Sequence, residues 1–560
     1  MAPLRSTQYE VRSVIRWHNV KDNDKGEDSN PMFVNFEISF IDIAILVASL
    51  LLSRLIPLWL TRGKQGDSSG FFLGGRNFVW PLIGFSLLAT NVSGASFVGL
   101  AGAGYAQGIS VYSYEWMAAI ILIFFVFFIL PFYLKSGVFT MPEFLERRYD
   151  RRSRLAFSAL LIFFSTFLGS AGALYGGALV GLTIFPGVPL WVGVVVLALL
   201  AGVMSIFGGL GAVVISDTIQ AIILLIGGVL VLIATLNAIP SWDAMVAAVP
   251  ERALHIIQPA DDPDLPWPGL VTGLIIIGIY AWTTEQVAVQ RVLGAKNLDH
   301  GRWGAIFAGF LKLPILFLMI LPGTMALTLY PDLQSPDMVF PKLVADLMPT
   351  GVKGIILAAL VAAITSSVDS TLNSASTLVT MDFVKPFRPE ISEKKLVQIG
   401  RITTVVVMIV AVLWAPQIMN FSSLWNYVQS IFSYVTPPIV AIFLVGIFWK
   451  RANRHGAFAA FTLGIGLGVG GFFANEIAGL FPIHFLYAAL ISFLGSIAIH
   501  VVVSLMTAPE PDEKTEGLIW SPSLWHDETE ALKSVAWWKN YRYQAVLLFV
   551  TTAVIVIWFW

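Results

Sequence analysis

The chain contains no cysteine and few charged residues. Of its 560 residues 57% are hydrophobic, and only 12% are charged, against about 25% in a typical soluble chain. The absence of cysteine excludes disulfides, thiolate metal sites and cysteine nucleophiles in this chain. A formal net charge of −1 gives no electrostatic reason to expect a nucleic-acid partner. The composition therefore indicates a chain that lies mostly in lipid.

The first 37 residues also lack an apolar core. We expect a polar N-terminal tail at 1–37 with no cleavable signal peptide. The first apolar segment, 38–60, would then act as the targeting signal.

Apolar stretches recur along the rest of the chain, and fourteen of them approach the about 20 residues that a membrane-spanning helix needs. We expect spans at 38–60, 78–106, 110–134, 155–184, 188–207, 210–237, 268–286, 303–330, 350–384, 398–416, 421–449, 455–475, 483–506 and 541–560. Basic residues concentrate in alternate loops, for example Arg147 and Arg148 in one loop and Arg291 in another. The positive-inside rule assigns these loops, and the charged segment 507–540, to the cytoplasm.

Two of the spans contain small and polar residues at mid-membrane, at 89–96 and at 278–284. Each span is the first of a group of five, and paired interruptions are typical of inverted-repeat transporters that bind their ligand at the midplane. The prediction is an all-α membrane protein with a leading helix, two repeats, two additional helices, a cytoplasmic loop and a last helix. The corresponding ranges are 38–60, 78–237, 268–449, 455–506, 507–540 and 541–560.

Two aspartates lie within these spans, where a charged side chain costs about 2.5–3.5 kcal/mol on insertion scales. At helical spacing Asp369 shares a face with Ser366 and Ser370, and such a stripe of oxygen atoms suits a hard cation such as sodium. Alternatively, the hydroxyls bond back to their own helix carbonyls, which leaves the aspartate unexplained. Asp217 is either a cation or proton site or a cap near the cytoplasmic end of its helix.

Three further polar residues interrupt apolar stretches. Lys312 would hydrogen-bond a solute hydroxyl or pair with an acid. Glu115 stands beside an aromatic residue, as carboxylates do in polyol sites, or else lies at headgroup level. Gln429 either binds solute or ties helices together.

Several short motifs follow one another along the chain. They are Phe72-Leu73-Gly74-Gly75-Arg76, Thr140-Met141-Pro142-Glu143-Phe144-Leu145, the segment 208–220, Val289-Gln290-Arg291 with Ala295-Lys296-Asn297, Asn373-Ser374-Ala375-Ser376-Thr377 with Met381-Asp382, and Phe448-Trp449-Lys450-Arg451. In this order and spacing the chain resembles the solute:sodium symporter family, and within it the sodium/glucose cotransporter branch, from about residue 37 to 506. The resemblance implies the leucine-transporter-type fold, a five-plus-five inverted repeat whose halves each begin with a broken helix.

The resemblance also implies one or two sodium sites. The first consists of three backbone carbonyls and two hydroxyls, those of Ala89, Val92, Ala363, Ser366 and Ser367. A second site, which some members have, matches Asp217, Ser366, Asp369 and Ser370. Where those members have serine or threonine this chain has Asp369, and a second carboxylate is expected to hold a cation more tightly or to let a proton compete. Two coupled cations are therefore favoured over one.

The branch's sugar-binding positions correspond to Asn91, Ser96, Glu115, Trp282, Lys312 and Gln429, and Trp282 and Tyr427 are candidate gate residues. Three positions depart from the pattern. Ser96 stands where relatives have glutamine or histidine, Gly278 stands where they have asparagine or threonine, and Ala281 replaces a tyrosine that stacks beneath the sugar. The lost ring enlarges the site, so a larger sugar, an inositol or a sugar acid paired with Lys312 would fit.

The predicted function is sodium-coupled import of a small polar solute, a sugar or polyol, by a multi-pass plasma-membrane symporter that is not an enzyme. Its expected partners are the solute, sodium ions and the bilayer. Two alternatives stay open: the same fold carrying a sugar acid or another organic solute, and a ligand-gated sensor or conductance that accumulates nothing.

Overall fold

The computed structural model describes residues 38–92, 94–184, 187–333, 335–420, 424–481 and 483–560, and within these ranges it leaves a few side chains undescribed, including those of 424–430. The predicted polar tail, 1–37, lies outside the described residues. The described chain is helical and forms isolated bridges, Phe78 with Ala295 and Gln258 with Pro266, in place of a sheet.

The helices of the bundle are numbered here in chain order. They are α1 Phe40–Leu60, α2 Trp80–Asn91, α3 Gly94–Gln107, α4 Ser113–Phe128, α5 Arg151–Leu182, α6 Leu190–Val203, α7 Gly209–Ala238, α8 Trp267–Thr284, α9 Gln286–Leu293, α10 Leu298–Leu329, α11 Val352–Phe387, α12 Glu393–Ile418, α13 Leu424–Phe448, α14 Arg454–Ile477, α15 Phe485–Met506 and α16 Tyr541–Trp558. Shorter helices at Ser68–Leu73, Met141–Arg148, Trp242–Ala248, Val339–Leu347 and Pro522–Leu532 connect them.

Twelve segments of the described chain are long and apolar enough to cross a membrane. One of them, Leu190–Ala238, has 49 residues and far exceeds a single crossing. It is interrupted at Gly209, whose φ of 58° suits glycine and whose Cβ, if present, would lie 2.5 Å from the carbonyl oxygen of Phe71. This segment therefore contains both α6 and α7. The predicted total of fourteen spans, and the boundaries of the predicted repeats, stay predictions.

Helix α11 occupies the centre of the bundle. Of its most apolar stretch 89% is buried, compared with 17% for the leading helix α1. Protein surrounds α11, which packs against α1, α5, α7 and α12. Large side chains of α1 such as Leu55 and Trp59 are 60% and 73% exposed and face the surroundings of the bundle. The polar stripe of α11 thus faces other helices, whereas helices such as α1 contact the lipid.

The two predicted interruptions are confirmed. Helix α2 ends at Asn91, and Val92 has an extended backbone (φ −86°, ψ 90°) before α3 begins. Helix α8 ends in a π-helical turn, Tyr280–Thr284, and Glu285 is extended (φ −71°, ψ 125°) before α9 begins. Where a helix breaks, the chain no longer supplies a helical donor to every carbonyl of the last turn, so some of these carbonyls can bind other groups.

The two broken helices also meet each other. The N–H of Phe78, just before α2, donates to the carbonyl of Gly294 at 3.0 Å, and the N–H of Lys296 donates to the carbonyl of Phe78 at 3.0 Å. This pairing joins the start of the first broken helix to the end of the second.

Two arginines that the charge pattern placed in loops lie on helices, Met141–Arg148 and α9, which corrects the loop assignment but leaves their cytoplasmic side a prediction. Arg148 and Arg291 are both fully buried. Arg148 donates to the carbonyl of Gly446 at 2.7 Å, and Arg291 pairs with Asp217. Arg291 has a carboxylate partner, whereas Arg148 bonds backbone carbonyls and its Nη1 has no partner among the described residues. Since protein groups contact both side chains, neither arginine is evidence for the orientation of the chain.

The loop 507–540 is held against the bundle by charge-assisted hydrogen bonds. Glu510 accepts from Arg454 Nε and Nη2, both at 2.8 Å, and from Lys514 Nζ at 3.1 Å. Burial raises the pKa of Glu510, but these hydrogen bonds outweigh it and lower the pKa to about 2. The glutamate is therefore ionised at neutral pH. That this loop is cytoplasmic stays a prediction.

The leading helix docks onto α11 through a buried carboxylate. Asp42, 1% exposed, accepts hydrogen bonds from the backbone N–H of Gly351 at 2.7 Å and of Gly354 at 2.9 Å. These groups belong to the first turn of α11, where N–H groups lack helical partners and attract negative charge. Asp42 therefore fixes the N-terminal end of α1 to the start of the central helix.

We predict that Asp42→Ala lowers the free energy of unfolding by about 1–2 kcal/mol, because it leaves two buried N–H groups without an acceptor. The check is the apparent melting temperature of the purified protein in detergent. Asp42→Asn keeps an acceptor oxygen and should lose less stability. Equal losses in the two variants would contradict this role of the carboxyl oxygen.

Candidate functional site

The break after α2 faces the polar stripe of α11. The carbonyl oxygen of Ala89 lies 3.3 Å from Ser366 Oγ. Ser366 is fully buried, and Ala89 and Val92 are 2% and 1% exposed. The structure therefore places Ala89, a predicted ion ligand at the end of α2, in contact with Ser366 of α11, which was expected to bind the same ion.

The remaining members of the first predicted sodium set lie next to this contact on α11. Ser367 Oγ is 3.1 Å from the carbonyl oxygen of Ala363 and currently donates to it. Hydroxyl and carbonyl oxygens at a helix break are hard ligands of the kind that alkali and alkaline-earth cations take. The Ser367 hydroxyl keeps its two lone pairs while it donates to Ala363, so this bond does not exclude ion ligation by the same hydroxyl.

Asp217 is the hub of the polar network. Its carboxylate accepts from Ser366 Oγ at 2.6 Å, from Ser86 Oγ at 2.6 Å, and pairs with Arg291 Nη2 at 3.4 Å. These partners come from α11, α2 and α9, and Asp217 itself is fully buried on α7. The alternative that Asp217 caps its helix near the membrane surface is therefore wrong.

Ser370 belongs to the same network. Its Oγ accepts a short hydrogen bond from Arg291 Nη2 and lies 3.4 Å from Thr90 Oγ1 on α2. The guanidinium group of Arg291 thus contacts Asp217 and Ser370, and Ser366 is linked to it through Asp217. Sequence reasoning had not given Arg291 a place in the site, although a charged residue within a mainly apolar stretch is a usable signal.

Asp369 faces a different partner. Its Oδ2 accepts from Nη1 of Arg54, on the leading helix, at 2.8 Å. Arg54 is 6% exposed and Asp369 is fully buried. A cationic side chain therefore already compensates Asp369 in this structure, and the expectation that this carboxylate helps to hold a second cation stays a prediction. Arg54 was also missed, although it interrupts the apolar run of α1.

Three of the other five predicted solute-binding residues converge on Lys312. Its Nζ donates to Glu115 Oε2 at 2.5 Å and makes a short hydrogen bond to Asn91 Oδ1. The same nitrogen lies 5.6 Å from the centre of the Trp282 ring. Lys312, Glu115 and Trp282 are buried, whereas Asn91 is exposed although it ends a membrane helix. The cluster therefore lies at the helix break and places an aromatic face beside several hydrogen-bonding groups.

The other predicted positions are distributed differently. Ser96 is half-buried on α3, and the side chains of Gln429 and Tyr427 lie outside the described part of the protein. A Cβ on Gly278 would come within 2.2 Å of the tip of Ile121, so that side chain fills the space beside the glycine. The ring of Tyr280, next to Ala281, is buried and lies 5.9 Å from that of Phe432.

Solved structures with the same architecture define the class of protein. A Na+-coupled sialic acid symporter in a substrate-bound outward-open state has a TM-score of 0.73 at 24% identity and covers 84% of this chain and 99% of its own. Mhp1, a nucleobase-cation-symport-1 family transporter, has a TM-score of 0.51 at 16% identity over 82% of this chain and 99% of its own. At these identities the likeness establishes the fold, which is the predicted leucine-transporter type.

Sequence comparison then establishes the family. The sodium:solute symporter family model matches residues 71–464. Sodium/glucose cotransporter 1 of Oryctolagus cuniculus is 35% identical over 537 residues, or 86% of this chain and 81% of the relative. Sodium/myo-inositol cotransporter 2 of Bos taurus is 35% identical over 532 residues, or 86% and 78%. The chain belongs to the sodium:solute symporter family and is a multi-pass plasma-membrane protein whose relatives are transporters.

We predict that Ser366→Ala weakens Na+ binding to the purified protein by about tenfold or more, because it removes a hydrogen bond to a buried carboxylate and a candidate ligand. Equilibrium binding of ²²Na+ measures this. Ser374→Ala is the matched control, since Ser374 is also buried on α11 but its hydroxyl has no partner among the described residues. Equal Na+ affinities for the two variants would show that the ion binds elsewhere.

Proposed function

We propose that the protein uses the sodium gradient to import a neutral sugar or polyol by alternating access. The observation that carries this proposal is the placement of Ala89 and Asn91 two residues apart at the end of α2. The carbonyl of Ala89 meets Ser366 of the ion-ligand set, and the side chain of Asn91 meets Lys312 of the solute set. An ion that orders this short segment also orders one wall of the solute pocket.

The proposed ion site consists of the carbonyl oxygens of Ala89, Val92 and Ala363 and the hydroxyls of Ser366 and Ser367. Its support is the contact across the break, between Ala89 and Ser366, and the burial of the surrounding residues. The nearest carboxylate, Asp217, is held 2.6 Å from Ser366 and polarises that hydroxyl toward itself. A lone pair of Ser366 Oγ is thereby left for a cation.

The charge balance of the second cluster favours a neutral solute. Lys312 already pairs with Glu115, so the pocket presents hydrogen-bond donors and acceptors without a net charge from this pair. A sugar acid would have to displace Glu115 from Lys312, at the cost of breaking a buried ion pair. Trp282, beside Lys312, supplies an apolar face against which a sugar ring can stack. The sugar and inositol specificity in the names of the relatives supports the same class.

The coupling mechanism follows from where the two sites lie. Sodium in the outward-open form ties the end of α2 to α11, and this completes the solute pocket. Solute then favours closure of the outer side, with Trp282 and Tyr427 as gate residues. Release of sodium to the cytoplasm frees the solute. Coupling is the difference in affinity of each ligand between the two states, typically about 1–3 kcal/mol, and it acts equally in both directions.

The proposal predicts sodium-dependent accumulation of neutral sugars or inositols in proteoliposomes. The test compares uptake of D-glucose, D-galactose, myo-inositol, glucuronate and sialic acid with an inward Na+ gradient and with K+ in its place. Accumulation above the outside concentration is expected for at least one neutral solute. Flux that only equilibrates would indicate a conductance instead, and uptake restricted to the acids would reject a neutral cargo.

A second prediction concerns Glu115. Glu115→Gln leaves Lys312 without a counter-charge, so we expect the apparent affinity for the neutral solute to fall about tenfold, since a buried unpaired charge costs several kcal/mol. The same variant should become sensitive to inhibition by glucuronate. Glu530→Gln, in an exposed ion pair with Lys533, is the control. A Glu115→Gln protein with unchanged affinity would remove this pair from the solute site.

A further inference from the structure

Arg54 is an unusual residue for the helix that carries it. Helix α1 is mostly lipid-facing, and its other large side chains in this turn, such as Leu55, are exposed. Arg54 instead turns inward, where its Nη1 donates to Asp369 Oδ2 at 2.8 Å and to Ser216 Oγ at 3.0 Å. A guanidinium at this depth is costly and needs a specific reason.

Anchoring α1 is an insufficient reason. The helix is already fixed to α11 by Asp42. A buried ion pair contributes little net stability, since the loss of hydration offsets most of the attraction, and an apolar pair would hold two helices at least as well. The arginine and the aspartate are therefore better explained by the charge that they place beside the ion pathway.

The charges of the two ion pairs in this region balance without any bound ion, and Glu285, near Arg291, adds a carboxylate that attracts the same guanidinium group. Arg54 pairs with Asp369 on one side of the network, and Arg291 pairs with Asp217 on the other. Ser216, adjacent to Asp217 in the chain, connects the two pairs through its bond to Arg54. These linked side chains comprise two carboxylates and two guanidinium groups. An additional sodium ion beside Asp369 would be an uncompensated charge in a water-poor interior.

We propose that the guanidinium of Arg54 acts as a fixed cation in place of a second sodium ion at Asp369, so that the protein couples one Na+ to each solute. This inference rests on the proposed sodium symport. It makes Arg54 the residue that determines the ion stoichiometry. The oxygen set at Ala89 and Ser366 takes the travelling ion, and the second carboxylate is satisfied permanently by the leading helix.

Removal of Arg54 should therefore create a second ion site. In Arg54→Met both oxygens of Asp369 would lack a donor, because Oδ1 already has no partner among the described residues. The network would then carry one uncompensated negative charge beside several hydroxyl groups. We expect this variant to bind two Na+ ions where the wild-type protein binds one.

The test uses the purified full-length protein and two readouts. Equilibrium ²²Na+ binding at about pH 8.5 gives the number of ions, since alkaline solution disfavours protonation of a carboxylate. In proteoliposomes at zero membrane potential, net solute flux stops when the solute ratio equals the sodium ratio raised to the number of coupled ions. We expect first-power dependence for wild type and for Arg54→Lys, and second-power dependence for Arg54→Met.

Arg302→Met is the matched control, because Arg302 is also buried and ion-paired, with Glu528 at 2.6 Å, but lies outside this network. It should keep a stoichiometry of one. Two bound ions in the wild-type protein, or one in Arg54→Met, would overturn the inference and leave the proposed function standing. A wild-type protein that binds no sodium would overturn both.

If Arg54→Met fails to fold, two other variants test the same idea, one without the charge of Asp369 and one without both charges. Asp369→Asn leaves Arg54 without its counter-charge, so we expect the Na+ affinity of the remaining site to fall about tenfold through repulsion. Combining it with Arg54→Met removes both charges and should bring the affinity back to within about threefold of wild type. Wild-type affinity in Asp369→Asn alone would contradict the role of Arg54 as a cation that the ion senses.

Discussion

The rest of the structure depends on the hydroxyl of Ser366, which contacts two partners. Ser366 Oγ lies 2.6 Å from the carboxylate of Asp217 and 3.3 Å from the freed carbonyl of Ala89. It therefore joins the central helix to α7 and to the break in α2. A hydroxyl has one hydrogen to donate, so it cannot satisfy both oxygens. An ion that takes the place of the missing donor would complete this junction.

Charge compensation explains why so many ionisable groups lie in this bundle. Each charged side chain of the site has a partner of opposite sign: Arg54 with Asp369, Arg291 with Asp217, and Lys312 with Glu115. In a low-dielectric interior an unpaired charge is far more costly than a paired one. The pairs keep the local charge close to neutral, so one added cation or one neutral solute measurably changes the equilibrium between the outward-open and inward-open states. This sensitivity is what a transporter requires of its binding sites.

Much of this arrangement could be predicted from the sequence, because lipid imposes strong constraints. The long apolar stretches predicted the helices, and polar residues inside them predicted the breaks at Val92 and Glu285. The ligand set on α11 followed from helical spacing together with the family resemblance. Lys312 and Glu115, interpreted separately from the sequence, turned out to contact each other.

What could not be predicted depends on partners from distant parts of the chain. The sequence around Asp369 indicates a carboxylate without a partner, because its partner Arg54 lies 315 positions away along the chain. The sequence around Arg291 likewise indicates a loop residue, because its carboxylate partner, Asp217, lies on another helix. The mid-span charge of Arg54 was visible, but local sequence gives neither the direction of its side chain nor the group it meets.

The proposed coupling requires that sodium and solute both contact the short segment around Ala89 and Asn91. The most direct measurement is the calorimetric affinity of the purified protein for D-glucose and myo-inositol, in Na+ and in an equal concentration of K+. We predict that the transported solute binds at least about tenfold more tightly in Na+, which corresponds to about 1.4 kcal/mol of coupling. Equal affinities in the two salts would contradict the claim that the ion completes the solute pocket.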